Sequence, residues 1–259
     1  MSAASITCYE RDASSTSRRS AGYGLTLSYA TNGALDSLGI LEECALKDCR
    51  SKSHYVFDKE GRVLKYYGNA LKNKGSRKTG QRGNLRVPRS KLREMLLERI
   101  ERVCEEKGVL VKDVIKWGKE VVALEPCRLR KEEGGGGGKG GGHQDFKVKA
   151  AFKDGTETPQ SDLLVAADGI NSRVVSLLPT LYGRPLPAPA AERLDYFLAI
   201  GRSTCDHPLV RGRAFHTLGG VEGRLFLMPY AEGEVMWQLS FPLPAAEGDQ
   251  LRNGDILGR

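Results

Sequence analysis

One stretch of the chain repeats its apolar residues at helical spacing, and most of the rest alternates at the shorter period of strands. Between residues 89 and 107, Leu92, Leu96, Ile100 and Val103 form one stripe, with Met95, Leu97 and Cys104 widening it. The spacing predicts a helix, with Ser90 as its N-cap and Gly108 as its stop. A second helix is expected over 31–43 on Leu35, Leu38, Ile40 and Leu41, with Gly39 as its weak point. Residues 54–67 read as a hairpin turning on Lys59-Glu60-Gly61. Strand-like runs follow at 114–117, 121–129 and 146–152, and again at 196–201, 214–218, 224–229 and 235–241. Short β-prone segments lie at 5–9 and, flanked by glycine, at 22–27. Residues 163–167 are continuously apolar, which predicts a buried strand ending at Asp168-Gly169. A short helix over 172–178 is then expected, stopped by Pro179.

Between the strands 121–129 and 146–152 lies a tract with eight glycines in nine residues, 134–142. Such a sequence loses the most entropy on ordering and has no side chains to pack, so it reads as a flexible insertion at a hairpin tip. Gly135, Gly137 and Gly140 match G-x-G-x-x-G formally, but no apolar strand leads through them into a helix, and the match is rejected. A proline-rich link, 184–189, and a polar tail, 246–259, complete the low-pattern segments.

With 259 residues the chain has room for one large domain or two small ones. Its net charge of +8 favours an anionic partner, and the charge peaks over 69–93, which has no acidic residue. No aromatics interleave there to stack on bases, so nucleic acid is not expected as a partner. The six cysteines are irregularly spaced without a C-x-x-C pair, and zinc is not expected. The N-terminal residues form no apolar signal core, and no apolar run is long enough to span a bilayer. Reduced thiols in an intracellular, cytoplasmic setting are the simplest picture.

Three constellations could carry chemistry. Glu10 ends the segment 5–9, where an acidic side chain in a nucleotide-binding βαβ unit accepts hydrogen bonds from ribose hydroxyls. Taken alone, a strand ending in glutamate is ordinary. Asp168 and Gly169 lie in LLVAADGINSRVVSLL. There a sharp turn is followed by a helix whose free N–H groups point back at it, a geometry suited to a ribose or pyrophosphate. Arg89, in RVPRSKL, stands where a cation could reach a phosphate, although a surface arginine is the more usual reading.

The order ITCYERD, RRSAGYGLTL, RVPRSKLREML, LLVAADGINSRVV, with MPYAEGEVMWQLSFP later, resembles the class A FAD-dependent monooxygenases of the aromatic-hydroxylase type. The likeness spans roughly residues 5–245. It implies that Glu10 binds the adenosine ribose of FAD, that Arg19 lies along the cofactor, that Arg89 contacts the FAD side of the site, and that Asp168 and Gly169 form the turn near the diphosphate. It also implies NAD(P)H as electron donor and hydroxylation of a small, aromatic substrate with O2. In such enzymes the cofactor supplies the chemistry and the protein supplies position, polarity and exclusion of water, so no catalytic side chain is assigned. His207, His216, Tyr230 and Trp237 are read as packing or surface residues. The family's first strand with its glycine loop would precede residue 5, and a Gly-Asp-Ala-Ala-His-like segment would follow residue 259. The resemblance therefore implies a partial chain, truncated at both ends, marginally stable alone and binding FAD weakly or not at all.

The expected fold class is α/β. An incomplete FAD/NAD(P)-binding, Rossmann-like domain is expected over 1–45 and 86–180, with its first strand missing. A mixed β-sheet substrate domain is expected over 46–85 and 185–245. A non-catalytic remnant acting as a binding protein is the alternative. A basic anion-surface binder using 69–93 is a third class.

Overall fold

The computed structural model describes residues 5–17, 22–49, 51, 53–68, 84–128, 146–169, 171–183, 195–220, 222–244 and 247. The glycine tract, the proline-rich link, most of the tail and the basic stretch 69–83 lie outside these residues. In chain order the elements of the first half are β1 (Cys8–Tyr9), β2 (Gly24–Leu27), α1 (Ala34–Ser37), α2 (Leu41–Leu46), β3 (Ser53–Phe57), β4 (Val63–Gly68), β5 (Leu85–Pro88) and α3 (Arg89–Glu106). They continue with α4 (Val111–Val114), β6 (Ile115–Lys116), β7 (Val121–Arg128), β8 (Phe146–Phe152), α5 (Arg173–Tyr182), β9 (Tyr196–Thr204), β10 (Arg213–Leu218), β11 (Arg224–Ala231) and β12 (Glu234–Pro242). The chain divides into two compact units, Met1–Ser17 with Gly108–Ala191 and Arg18–Lys107 with Glu192–Arg259. Residues 18–45 and 86–107 thus lie in the unit built on the large sheet.

That sheet has six strands in the order β4-β3-β10-β11-β12-β9. Its β3–β10 pair is parallel and its other pairs are antiparallel, so the sheet is mixed. The hairpin of β3 and β4 turns where the sequence places it. Gly61 takes φ +80°, and Asp58 Oδ1 accepts from the Arg62 backbone N–H at 2.8 Å. Both are ordinary devices of a tight turn.

In the same unit, β2 and β5 pair antiparallel beside α2 and α3. Ile40, Leu41, Cys44, Ala45, Leu85, Val87 and Met95 form their buried core. Full burial of a side chain such as Ile40 or Leu85 stabilises by about 1.5–3 kcal/mol. The helix expected over 31–43 is two short helices. Gly39 separates them at φ +72°, and Arg99 closes over the break, donating from Nε to the Leu38 carbonyl at 3.1 Å. Helix α3 spans the predicted stretch, but Ser90 is not its cap. Pro88 holds the N-cap position at φ −55° without a side-chain cap bond, because β5 runs straight into the helix through the proline. Gly108 ends the helix at φ +65°, as expected.

In the other unit, β7 and β8 form an antiparallel hairpin, and Tyr9 packs its ring on Phe152 at 4.9 Å. β1 pairs parallel with β6 through Cys8–Ile115 and Tyr9–Lys116. The buried strand expected over 163–167 does not form. The segment has no strand partner among the described residues, and Leu163 and Val165 are 77% and 75% exposed. An apolar run becomes a buried strand only when neighbours pair its backbone on both edges. Pro179 does not stop α5 either. The helix passes through it and ends at Gly183, whose left-handed φ of +63° closes the C-terminus.

One glycine of the sheet is fixed by packing. A Cβ on Gly201 of β9 would lie 2.1 Å from the Trp237 ring of β12, which crosses it to donate from Nε1 to Ser203 Oγ at 3.1 Å. Gly201→Val is expected to expel the indole and lower stability by about 1–3 kcal/mol. In a Trp117→Phe background, this would be read as a red-shifted tryptophan emission and a lower Tm. Unchanged emission would contradict the packing.

Candidate functional site

Glu10 follows β1 at the carboxyl end of a parallel pair. Its backbone is held on both sides, donating to Lys116 O at 2.9 Å and accepting from Lys119 N at 2.8 Å. Its side chain turns back, and Oε1 accepts from the Asp12 N–H at 3.0 Å. The carboxylate is half-buried and oriented, with acceptor capacity remaining on Oε2. Ribose hydroxyls are donors, so this group fits the adenosine end of a dinucleotide.

Asp168 and Gly169 form the expected turn, with Gly169 at φ +86°. What the turn does is local. Asp168 accepts from Ser172 Oγ and, at 3.1 Å, from the Val174 N–H. Ser172 is the N-cap of α5 and accepts from the Val175 N–H at 3.0 Å. Desolvation, the largest single influence, pushes the Asp168 carboxyl up, but the bonds from Ser172, Val174 and Arg173 together outweigh it and hold it below the usual aspartate value. The N–H groups of the first turn of α5 are thus occupied by the chain's own oxygens. A diphosphate needs such donors free and converging, so this helix end does not fit one.

Arg89 opens α3 as an exposed guanidinium, 5.9 Å from the centre of the Tyr23 ring, and its backbone N–H donates to Tyr23 O at 3.0 Å. A mobile anion could reach it. Arg19 lies outside the described residues. The structure brings Glu10, Asp168 and Gly169 into one unit and puts Arg89 in the other.

A polar cluster on the six-stranded sheet was not singled out from the sequence. Arg86 of β5 donates from Nη2 to His54 Nε2 at 2.8 Å. Burial, then the charge of Arg86, then His216, lower the His54 pKa from 6.5 to about 4. His54 is therefore a neutral imidazole whose Nε2 accepts. His216 is also held below its usual value, by burial and then by Arg224, and its ring stacks on Phe226 at 4.4 Å. The available signal was register: alternation along β3 puts His54 on the same face as Val56, a slot that usually holds an apolar residue. Of the residues read as packing or surface, Tyr230 is buried and His207 is exposed at a turn, with Nδ1 accepting from the Leu209 N–H at 3.1 Å.

Among the described residues, no group of three or more His, Cys, Asp or Glu side chains could hold a metal ion. Among the same residues, no helix is long and apolar enough to cross a membrane.

The His54 geometry has a pH consequence. Its folded-state pKa of about 4 lies below the ordinary 6.5, so the unfolded chain takes up the proton first. Stability is complete above the unfolded value and falls as pH drops from about 6.5 toward 4. His54→Gln is expected to flatten that part of the Tm–pH curve, and an unaltered slope would contradict the assignment.

No family model and no curated protein matches the sequence. Solved structures match it in shape. HpxO of Klebsiella pneumoniae, complexed with FAD and uric acid, superposes with a TM-score of 0.59 at 19% identity, over 96% of this chain and 60% of HpxO. PqsL of P. aeruginosa, in complex with 2-aminobenzoylacetate, gives 0.61 at 18% over 95% of this chain and 55% of PqsL. The tetracycline destructase Tet(51) gives 0.54 at 12% over 97% and 56%. The chain thus spans between half and two thirds of the length of these proteins. At these identities the likeness establishes the fold alone: a mixed α/β fold shared with HpxO, PqsL and Tet(51).

Proposed function

We propose that this chain is part of an FAD-dependent monooxygenase that hydroxylates a small aromatic substrate with NAD(P)H and O2. The shared fold with HpxO over 96% of the chain carries the reading. That HpxO is complexed with uric acid, and PqsL with 2-aminobenzoylacetate, supports a small planar substrate. Glu10 holds the adenosine ribose, Arg89 offers a cation to a phosphate, and Arg19 lies along the cofactor. Asp168 and Gly169 set the turn before α5, and Asp168 acts there through the helix it caps. When bound, the flavin supplies the electron transfer and oxygen chemistry. The chain's residues bind, orient and exclude water.

A second reading, a binding protein without turnover, is favoured by the closed N-terminus of α5, where Asp168 and Ser172 already take the donors a diphosphate would need. Turnover separates the two readings. With FAD added, the full chain is expected to oxidise NAD(P)H and consume O2, whereas FAD binding without either leaves only the binding protein. Glu10→Gln removes a charge from the ribose contact and is expected to weaken FAD binding about tenfold, as read by flavin fluorescence. Equal affinity would remove Glu10 from the site.

A further inference from the structure

The two edge strands of the six-stranded sheet, β4 and β9, are built differently. β4 has six residues, carries Lys65, and pairs with β3 through a register shift between Val56 and Phe57. A short strand, a lysine and an irregular ladder each discourage further pairing. β9 has none of these devices. It runs for nine residues, YFLAIGRST, without lysine, proline or acid, and its register with β12 is unbroken from Tyr196–Pro242 to Thr204–Glu234. Beyond its two ends, the Leu243 N–H donates to the Asp195 carbonyl at 3.0 Å and the Cys205 N–H donates to the Gly233 carbonyl at 2.9 Å. The odd-numbered residues therefore turn their backbone groups to β12, and Tyr196, Leu198, Ile200, Arg202 and Thr204 turn theirs to the open edge. Among the described residues, none makes a backbone bond to that edge. Side chains of the same residues are exposed, 60% at Tyr196, 53% at Leu198 and 40% at Ile200.

A long apolar strand with free donors and acceptors is a template for another strand. The sequence of β9 complements a copy of itself. In an antiparallel pairing about a two-fold axis at Ala199, Leu198 stands opposite Ile200 of the second copy, and Tyr196 stands opposite its Arg202. Both members of each pair face the edge, so each pair exchanges two backbone bonds. The aliphatic residues cover one another across the strands. Arg202 is held on the same face, 5.0 Å from the centre of the Tyr230 ring. Its guanidinium then meets the phenol ring of the second copy and not a second cation. On the opposite face Ala199 meets its own copy, and two methyl groups suit the closer spacing of a non-hydrogen-bonded pair. A parallel pairing in register would instead set Arg202 beside Arg202. We infer that β9 is a dimerisation edge, through which two copies of the chain join antiparallel and continue the sheet across a two-fold axis. The edge lies wholly within one unit, and the pairing is independent of the flavin reading.

Sedimentation velocity of the full chain over a wide range of concentration, without flavin, tests the edge. A monomer–dimer equilibrium is expected. Leu198→Pro removes an N–H that points away from β12 and leaves that ladder whole. It is expected to weaken dimerisation about tenfold or more while the circular dichroism and Tm of the dilute protein stay unchanged. Ile200→Lys, which alters no backbone group and puts a cation on the edge, is expected to do the same and decides the matter if Leu198→Pro does not fold. Ala199→Cys reads the register. Under mild oxidation it is expected to give a disulfide-linked dimer well above the background set by the chain's own cysteines. A chain that is monomeric at every concentration overturns the inference and leaves the edge to an extended segment of another protein. A dimer that Ile200→Lys does not weaken also overturns it, because that dimer uses another surface. A dimer that Ala199→Cys does not cross-link overturns the pairing about Ala199.

Discussion

The parallel pairing of β3 with β10 is the contact on which the sheet unit depends. It joins a local hairpin, β3 with β4, to a meander more than a hundred residues further along the chain. An isolated two-stranded hairpin is marginal in water, and three or more strands with an apolar face are needed for independent stability. Docked on β10, His54 enters the face that β5 approaches, and Arg86 meets it there. The Arg86–His54 hydrogen bond follows from that register, and a slip by a single residue would turn His54 to the other face and break it.

Where a pattern is decided locally, the sequence was legible. The β3–β4 hairpin was readable because Gly61 and Asp58 fix the turn, and α3 because its stripe repeats from Leu92 to Cys104. The strands β9 to β12 form where strand-like runs were read, and the Asp168-Gly169 turn needs a left-handed residue. Where a partner decides, legibility ended. Residues 163–167 have the composition of a buried strand, but no described strand pairs with them, and Leu163 and Val165 stay exposed. Ser90 has the chemistry of a cap, but Pro88 carries the strand directly into α3. Pro179 removes one helical bond, yet α5 packs against β7 and continues to Gly183.

The candidate site divides the same way. Glu10 could be placed by its position after a β-prone run, and its anchoring by Asp12 gives that position an oriented carboxylate. Asp168 was legible as the residue of a turn, but its bonds to Ser172 and the Val174 N–H were not, because they form only once α5 starts beside it. His54 and Arg86 were hidden because their significance arises only when two distant segments share one face.

The chain shares its fold with HpxO and PqsL, orients the Glu10 carboxylate that we propose for the adenosine end, and closes the N-terminus of α5 with its own side chains. The direct measurement is the visible difference spectrum of the full chain titrated with FAD, repeated after desalting. A saturable perturbation of the flavin bands at high FAD, lost on desalting, is expected. A folded chain that never perturbs the flavin spectrum would contradict it.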